Sequence, residues 1–596
     1  MPETKATPRL VFPAVGLALG AGLLFSESVL LIREFFASFG GGGVWRELLF
    51  TLAGYAVAGA LIDLAAQLVA PARWRLNAYV RAAPVIVAAF LAQKTFGVAS
   101  AVAFGSVPLA AVWASGAFRR WGWPMASGFA ALALLPALPA ARVPIPPPSA
   151  AREASGPNVL LVVLDTMRRD HVSAYGYDRP TTPHFDALAA RGVKFDRAYA
   201  SSCWSVPSHA GLFTGLLSSK HGADFEHFFL DEGVDTLAED FAKNGWQTVG
   251  FSGNPYIAAG TGMSRGFGLF DESWRPHVTR RWLVGLQIAA RMSRSTHDKG
   301  GGHVVSAFKQ WFKERDKSRP YFAFVNLLEA HAPYQDAQLA AKFTDRRLSS
   351  GDLERIGNVS HEAQWAGTKP GKDIFPTTWD LVDGATASAD AYLGEILDLV
   401  GDDTLIVVVS DHGDLVGEHD LWGHMTSLYE TLIHVPMAIA GPGIPKGKVI
   451  PDMVSLLDVM PTVLGMVGID APPTDGTDLR DVIDGKVSLA DRVVHAEHMR
   501  TDVATSMWAL NRFGDELKSI RARRAAAVGM ELKRIVAENG EDDGFDLMRD
   551  PGEEHPMPGE TTGLSVAVPK PPPPRGPVRE LDPAQIEALK SLGYMR

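Results

Sequence analysis

One cysteine, Cys203, in a chain of 596 residues leaves no means of building a disulfide framework or a cysteine-based zinc cluster. The basic surplus of a nucleic-acid binder is missing too. Lys and Arg number 57 against 67 Asp and Glu, for a net charge of −10. No internal repeat is present, and a 46% hydrophobic content argues against an intrinsically disordered chain. Any chemistry must therefore come from Asp, Glu, His, Ser or Thr.

The net charge hides an asymmetry. Residues 1–150 carry +6, whereas the remaining 446 carry −16. The first quarter also holds long apolar stretches at 10–32, 47–70, 79–98, 100–118 and 122–141. At a rise of about 1.5 Å per residue the first is long enough to cross a bilayer core. These stretches predict an all-α transmembrane bundle of about five helices over 1–142. Only Gln93 and Lys94 part the third from the fourth, so four spans remain open. With five spans and the N-terminus inside, Lys5, Arg9, Arg73, Arg75, Arg81, Arg119 and Arg120 are cytoplasmic, and Arg33, Arg46 and Lys94 lie outside. Seven against three follows the positive-inside rule. That topology makes the chain a multi-pass protein of the cell (inner) membrane and sends everything after residue 142 to the extracytoplasmic side. Glu27 and Asp63 fall inside spans at different depths and read as polar contacts within the bundle. A Pro-rich linker over 143–157 follows.

Beyond the linker, short apolar runs alternate with amphipathic stretches. NVLLVVL (158–164), QTVGF (247–251), YFAFVNL (321–327), TLIVVVS (404–410) and VPMAIA (435–440) read as buried strands of a mostly parallel sheet with helices on both faces. Four of these runs are followed at once by polar groups: Asp165, Asn254, Glu329 with His331, and Asp411 with His412. Ligands bind beyond the carboxyl ends of strands in such sheets, so these clusters point to one assembled site. Asp165, Asp411 and His412 offer two hard carboxylates and an imidazole, a donor set for a divalent cation whose ligand types alone do not choose among Ca²⁺, Mg²⁺, Mn²⁺ and Zn²⁺. In SVPSHAGLFTG (205–215), Pro207 suits the first position of a helix and Ser205 its N-terminus, where a hydroxyl facing a metal becomes a nucleophile toward sulfur or phosphorus.

LDTMRRDHVSAYGY (164–177), TTPHFDALAARGVKFDRAYA (181–200), SVPSHAGLFTG and SDHGDLVGEHDLWGH (410–424) resemble the sulfatase family of the alkaline-phosphatase superfamily. FVNLLEAHAPY (324–334), SLYETLIHVPMAIAGPG (427–443), SLLDVMPTVLGMVG (455–468) and FDLMRDPGEEHP (545–556) continue the likeness in the family's order. The resemblance implies a catalytic α/β domain over 158–489 and a small C-terminal sheet subdomain over 490–556. It implies that Asp165, Asp411 and His412 ligate one divalent ion, Ca²⁺ foremost, together with Ser205. It assigns His331 and His424 to the transferred group, with His424 standing where many members have Lys. His209, Asn254 and Arg168 are the substrate-side residues, and His419 is a structural histidine. The implied substrate is a sulfate or phosphate ester, lipid or glycan.

The chain also departs from the family pattern. Family members carry formylglycine, made from Cys or Ser in a Cys/Ser-x-Pro-Ser-Arg context; here Ser205 is the position to be modified and His209 replaces the Arg. Cys203 lies two residues too early and is read as structural. Asp-Thr stands where Asp-Asp is usual, and FSGN (251–254) replaces the Gly-Lys-Trp-His element. Two other functions stay open. The membrane-plus-outer-domain layout also resembles lipoteichoic-acid synthases and phosphoethanolamine transferases, which move a phosphoryl-linked group from a lipid. The departures also suit a decayed site kept for binding or assembly. The basic segment 273–299 reads as an insertion helix packed on the catalytic domain, with a helix lying on anionic lipid beside the spans as the alternative, and 557–596 as a Pro-rich tail ending in a short helix from Asp582.

Overall fold

The computed structural model describes residues 156–224, 227–274, 299–334, 337–344, 371–499 and 522–570, with a few isolated positions beside them. The expected membrane bundle over 1–142, the segment 275–298 and most of the terminal helix lie outside the described residues. Among the described residues no helix is long and apolar enough to cross a membrane.

The apolar runs form strands where their pattern places them: β1 (Asn158–Leu164), β3 (Gln247–Ser252), β5 (Tyr321–Leu327) and β6 (Thr404–Val409). With β2 (Val193–Tyr199), β4 (Leu269–Glu272), β9 (His434–Val435), β10 (Met437–Ala440) and β11 (Lys448–Ser455) they make a nine-stranded sheet. Its order is β11-β2-β10-β6-β1-β5-β3-β4, with β9 against β2. The block from β6 to β4 is parallel throughout. The run 435–440, expected among the parallel strands, instead breaks at Pro436, and its β10 part runs antiparallel to both neighbours. A strand buried on both faces is apolar in either direction, so its pattern carries no sign of orientation.

Alternation along β1 shows how the sheet divides the core. Val159, Leu161 and Val163 join one buried cluster, while Leu160, Val162 and Leu164 join another. On the first side lie α2 (Ser205–Thr214), α3 (Leu237–Lys243) and α6 (Val459–Met466). On the second lie α1 (Pro183–Ala190), α4 (Gly301–Glu314) and α5 (Phe375–Leu397). Each Val or Leu so buried contributes about 1.5–3 kcal/mol, which fixes the sheet firmly enough to hold a polar site at its edge.

A two-stranded ribbon, β7 (Leu415–Val416) with β8 (Trp422–Gly423), follows β6, and a second, antiparallel sheet of five strands runs from β12 (Val494–His498) through β13 (Arg524–Val528), β14 (Leu532–Ala537) and β15 (Asp542–Asp546) to β16 (Met557–Pro558). It takes up residues 494–558 of the chain. Lys533 of β14, wholly buried, pairs with Glu430 at 3.1 Å and Glu553 at 2.9 Å and so ties this sheet to the segment after the β6 loop.

Candidate active site

Because β1, β3, β5 and β6 run parallel, their carboxyl ends meet on one edge. Asp165 follows β1, Asn254 lies two residues beyond β3, Asn326 is the penultimate residue of β5, and Asp411 with His412 follows β6. All five are fully buried. The segment after β6 needs Gly413, since a Cβ there would lie 2.0 Å from the Thr431 carbonyl oxygen.

Ser205 reaches the same place from the other side as the first residue of α2. The helix starts two residues before the position that Pro207 suggests, and the proline occupies the third position. That is still within the first turn, where backbone N–H groups have no partner inside the helix, so no hydrogen bond is lost. Ser205 does not cap the helix with its side chain; its hydroxyl stands at the positive end of the dipole. Ser208 donates to the Asp411 carbonyl at 2.6 Å and pins α2 to the β6 loop. At the far end Gly215, at φ +66°, closes the helix through its N–H to the Gly211 carbonyl at 2.7 Å.

The two carboxylates are held alike. Asp165 Oδ2 accepts from the amides of Asn254 (2.8 Å) and Asn326 (2.9 Å), which leaves Oδ1 without a hydrogen-bond donor. Asp411 Oδ1 accepts from the backbone N–H groups of Thr166 (3.1 Å) and His412 (3.0 Å), while Oδ2 faces only the ring nitrogens of His209 and His412, each at 3.3 Å. Thr166 makes its bond from a left-handed backbone conformation, φ +58°, costly for a β-branched residue and a sign of a constrained site. His412 donates from Nδ1 to the Gly413 carbonyl at 2.8 Å, so its Nε2 lone pair faces Ser205 Oγ and Asp411 Oδ2, each at 3.3 Å. Asn254 donates to Ser205 Oγ at 3.2 Å.

Dry, facing carboxylate oxygens and an imidazole lone pair repel unless a cation lies among them. Burial and the neighbouring Asp411 push the Asp165 carboxyl up to about 7. Burial likewise presses on Asp411, but His412 and His209 hold it below the usual carboxylate range. Burial lowers the His412 imidazole to about 4, so its Nε2 keeps a lone pair that can bind a cation. The donor set fits a divalent ion. Asp165, Asp411 and His209 place ligand-type atoms within 4.8 Å of one another. His209 thus stands with the carboxylates, and His412 Nε2 adjoins Asp411 Oδ2 at 3.3 Å.

His331 and His424, expected at the transferred group, are neighbours, with ring centroids 5.0 Å apart, and His424 lies 4.6 Å from His412. Burial and His424 lower His331 to about 3, which leaves it neutral in the free site. Asp414 accepts from His424 Nδ1 at 3.1 Å and from the Tyr334 hydroxyl at 2.6 Å, turning His424 Nε2 away from it. Arg168 is taken up by Asp170, Glu418 (2.6 Å) and the Asp414 carbonyl (2.9 Å), with its guanidinium over Trp379; it braces the loop that carries Asp414. Glu329 accepts from the Gly301 N–H at 2.7 Å and serves the start of α4. His419 is stacked on Tyr429 at 3.7 Å. The Cys203 thiol lies 3.4 Å from His498 Nδ1, and burial pushes it up to about 12, so it is no nucleophile.

Asn326 and Asp414 are the two residues that sequence reasoning missed. A polar side chain at the end of an otherwise apolar strand was the available signal for Asn326; the second carboxylate of Asp411-His412-Gly413-Asp414 was the signal for Asp414.

A protein-family model described as Sulfatase matches residues 157–469. An arylsulfatase of Clostridium perfringens is 23% identical over 451 residues, covering 67% of this chain and 89% of that protein. Arylsulfatase K of Mus musculus is 26% identical over 350 residues, covering 53% of this chain and 62% of its own length. Among solved structures, the phosphonate monoester hydrolase of Agrobacterium radiobacter superposes with a TM-score of 0.52 at 22% identity, covering 67% of this chain and 91% of that one, and shares the fold.

Proposed function

The chain belongs to the sulfatase family, and on that premise we propose that it is a sulfuric ester hydrolase, dependent on one divalent metal ion, anchored in the cell membrane and acting outside the cytoplasm. The observation that carries the catalytic part is the pair of half-satisfied buried carboxylates beside Ser205. Asp165 and Asp411 are the residues to hold the ion, with His412 and Ser205 beside them. When bound, such an ion offsets charge on the ester's non-bridging oxygens and favours the deprotonated nucleophile.

The protein's own groups do the rest. Asn254 donates to Ser205 Oγ and fixes it toward the carboxylates, while the N-terminus of α2 favours negative charge there. Ser205, as a plain hydroxyl or as formylglycine, is the nucleophile. Ser205 is only 1% exposed, so its hydroxyl is shielded from bulk water. His331 and His424 stand together, with His424 beside His412, and His424, its Nδ1 donating to Asp414, serves as the imidazolium that gives a proton to the leaving oxygen. A phosphate ester is the second substrate class that this chemistry admits.

Membrane anchoring and the outward orientation rest on the apolar stretches and loop charges of residues 1–142. Turnover of an aryl sulfate by the purified full chain, read beside peptide mass spectrometry across residues 198–220, tests the catalytic reading. Metal-dependent sulfate release supports it. An unmodified Ser205 with no sulfate release, or Ser205 carrying a phosphoryl group after incubation with phospholipid, rejects it in favour of phosphoryl transfer.

A further inference from the structure

His209 is the one imidazole in the mutual cluster with Asp165 and Asp411, and its ring position raises the question of whether it is a ligand. Hydrogen bonding answers it. Nδ1 lies 2.9 Å from the Ser205 carbonyl oxygen, which can only accept, so Nδ1 carries the hydrogen. Nε2 lies 3.3 Å from the Asn326 amide nitrogen, which can only donate, so Nε2 carries the lone pair. The Asn326 orientation is set independently, because the same nitrogen donates to Asp165 Oδ2 at 2.9 Å. The atom that His209 turns toward Asp411 Oδ2, at 3.3 Å, is therefore an N–H and not a donor pair.

We propose that His209 is a positioning residue outside the cation's coordination shell, and that Asn326 and His209 form a bridge from Asp165 to the backbone of Ser205. The bridge runs Asp165 Oδ2, Asn326 Nδ2, His209 Nε2, then Nδ1 to the Ser205 carbonyl. It is buried from end to end, and the Phe213 and Phe324 rings stand roughly perpendicular to the imidazole at 6.1 and 6.0 Å between centroids. Its consequence is geometric. The metal-holding carboxylate at the end of β1 and the nucleophile at the start of α2 belong to different elements, and this bridge sets their separation.

The inference rests on the proposed function, which supplies the cation. Full-length chain is titrated with Co²⁺ by calorimetry and its visible absorption recorded, with kcat and KM followed on an aryl sulfate. His209→Ala and Asn326→Ala are each expected to lower kcat and Co²⁺ affinity by about 10- to 100-fold, with the Co²⁺ band positions unchanged. His209→Asn, whose amide N–H can take over the bond to the Ser205 carbonyl, recovers most of the loss. The double variant is no worse than the weaker single one, since both break one bridge. Shifted Co²⁺ bands in His209→Ala make His209 a ligand and overturn the proposal, as do additive losses or unchanged kcat and affinity. A wild-type chain that takes up no Co²⁺, Mn²⁺ or Ca²⁺ overturns the proposed function itself. Asn326→Ala keeps the test decisive if His209→Ala does not fold.

Discussion

Asp165→Asn has opposite effects on stability and on function, which makes it the sharpest perturbation of the site. Without a cation Asp165 is wholly buried beside Asp411, and its carboxyl is pushed up from 3.8 to about 7. At about 1.4 kcal/mol per tenfold change in proton affinity, ionising it costs the folded state as much as ~4 kcal/mol. The folded-state value lies above the ordinary one, so the cost is absent below about pH 4, grows as the pH rises and is complete above about pH 7. Asparagine keeps an oxygen for the amides of Asn254 and Asn326 and offers an N–H where Oδ1 now lacks a donor. In chelator at about pH 8 the variant should melt ~4 °C above wild type, taking ~1 °C per kcal/mol for a domain of this size. The two should converge toward about pH 4.5. Added divalent metal should stabilise wild type and leave the variant unmoved, while its turnover falls by ~10³-fold or more. Thermal melts of both proteins across this pH range, with and without metal, read all of this. A chelated variant that melts below wild type at the alkaline end, or one that gains equally from metal, refutes the reasoning.

Other expectations follow from the same contacts. Ser205→Ala should lower kcat by ~10⁴-fold or more while keeping cation affinity within about tenfold, measured by calorimetry beside steady-state rates. Arg168→Ala removes the partner of Glu418 and of the Asp414 carbonyl, while the exposed Asp170 is taken up by water, and should cost ~1–3 kcal/mol in denaturant titrations with KM within about threefold. Met548 is 64% exposed and Cys203 is buried, so Met548→Cys gives a single reactive thiol. In intact spheroplasts a membrane-impermeant maleimide should label it; labelling only after lysis contradicts the outward orientation.

How far the sequence spoke depended on what each signal measures. Apolar runs located β1, β3, β5 and β6 within a residue or so, because strands covered on both faces have nowhere to place polar side chains. The same runs were silent about direction, and β10 turned out antiparallel. β2, with its alternating VKFDRAY, and β11 carry weaker patterns and stood out less. At the site, Asp165, Asn254, Ser205, Asp411 and His412 were legible, since strand ends and a helix start are where ligands gather, and the structure brings all five together. Glu329 carried the same positional signal but serves the start of α4. Asn326 escaped because it sits inside an apolar strand, and the company His209 keeps was not readable from its place in the helix, because both depend on contacts between β5 and α2.

An anomalous-difference map from crystals of the full chain grown with Mn²⁺ tests the central claim most directly. The account predicts one strong peak in contact with Asp165 Oδ1 and Asp411 Oδ2, adjoining Ser205. A well-ordered site with no peak there, or a peak bound by other residues, contradicts it.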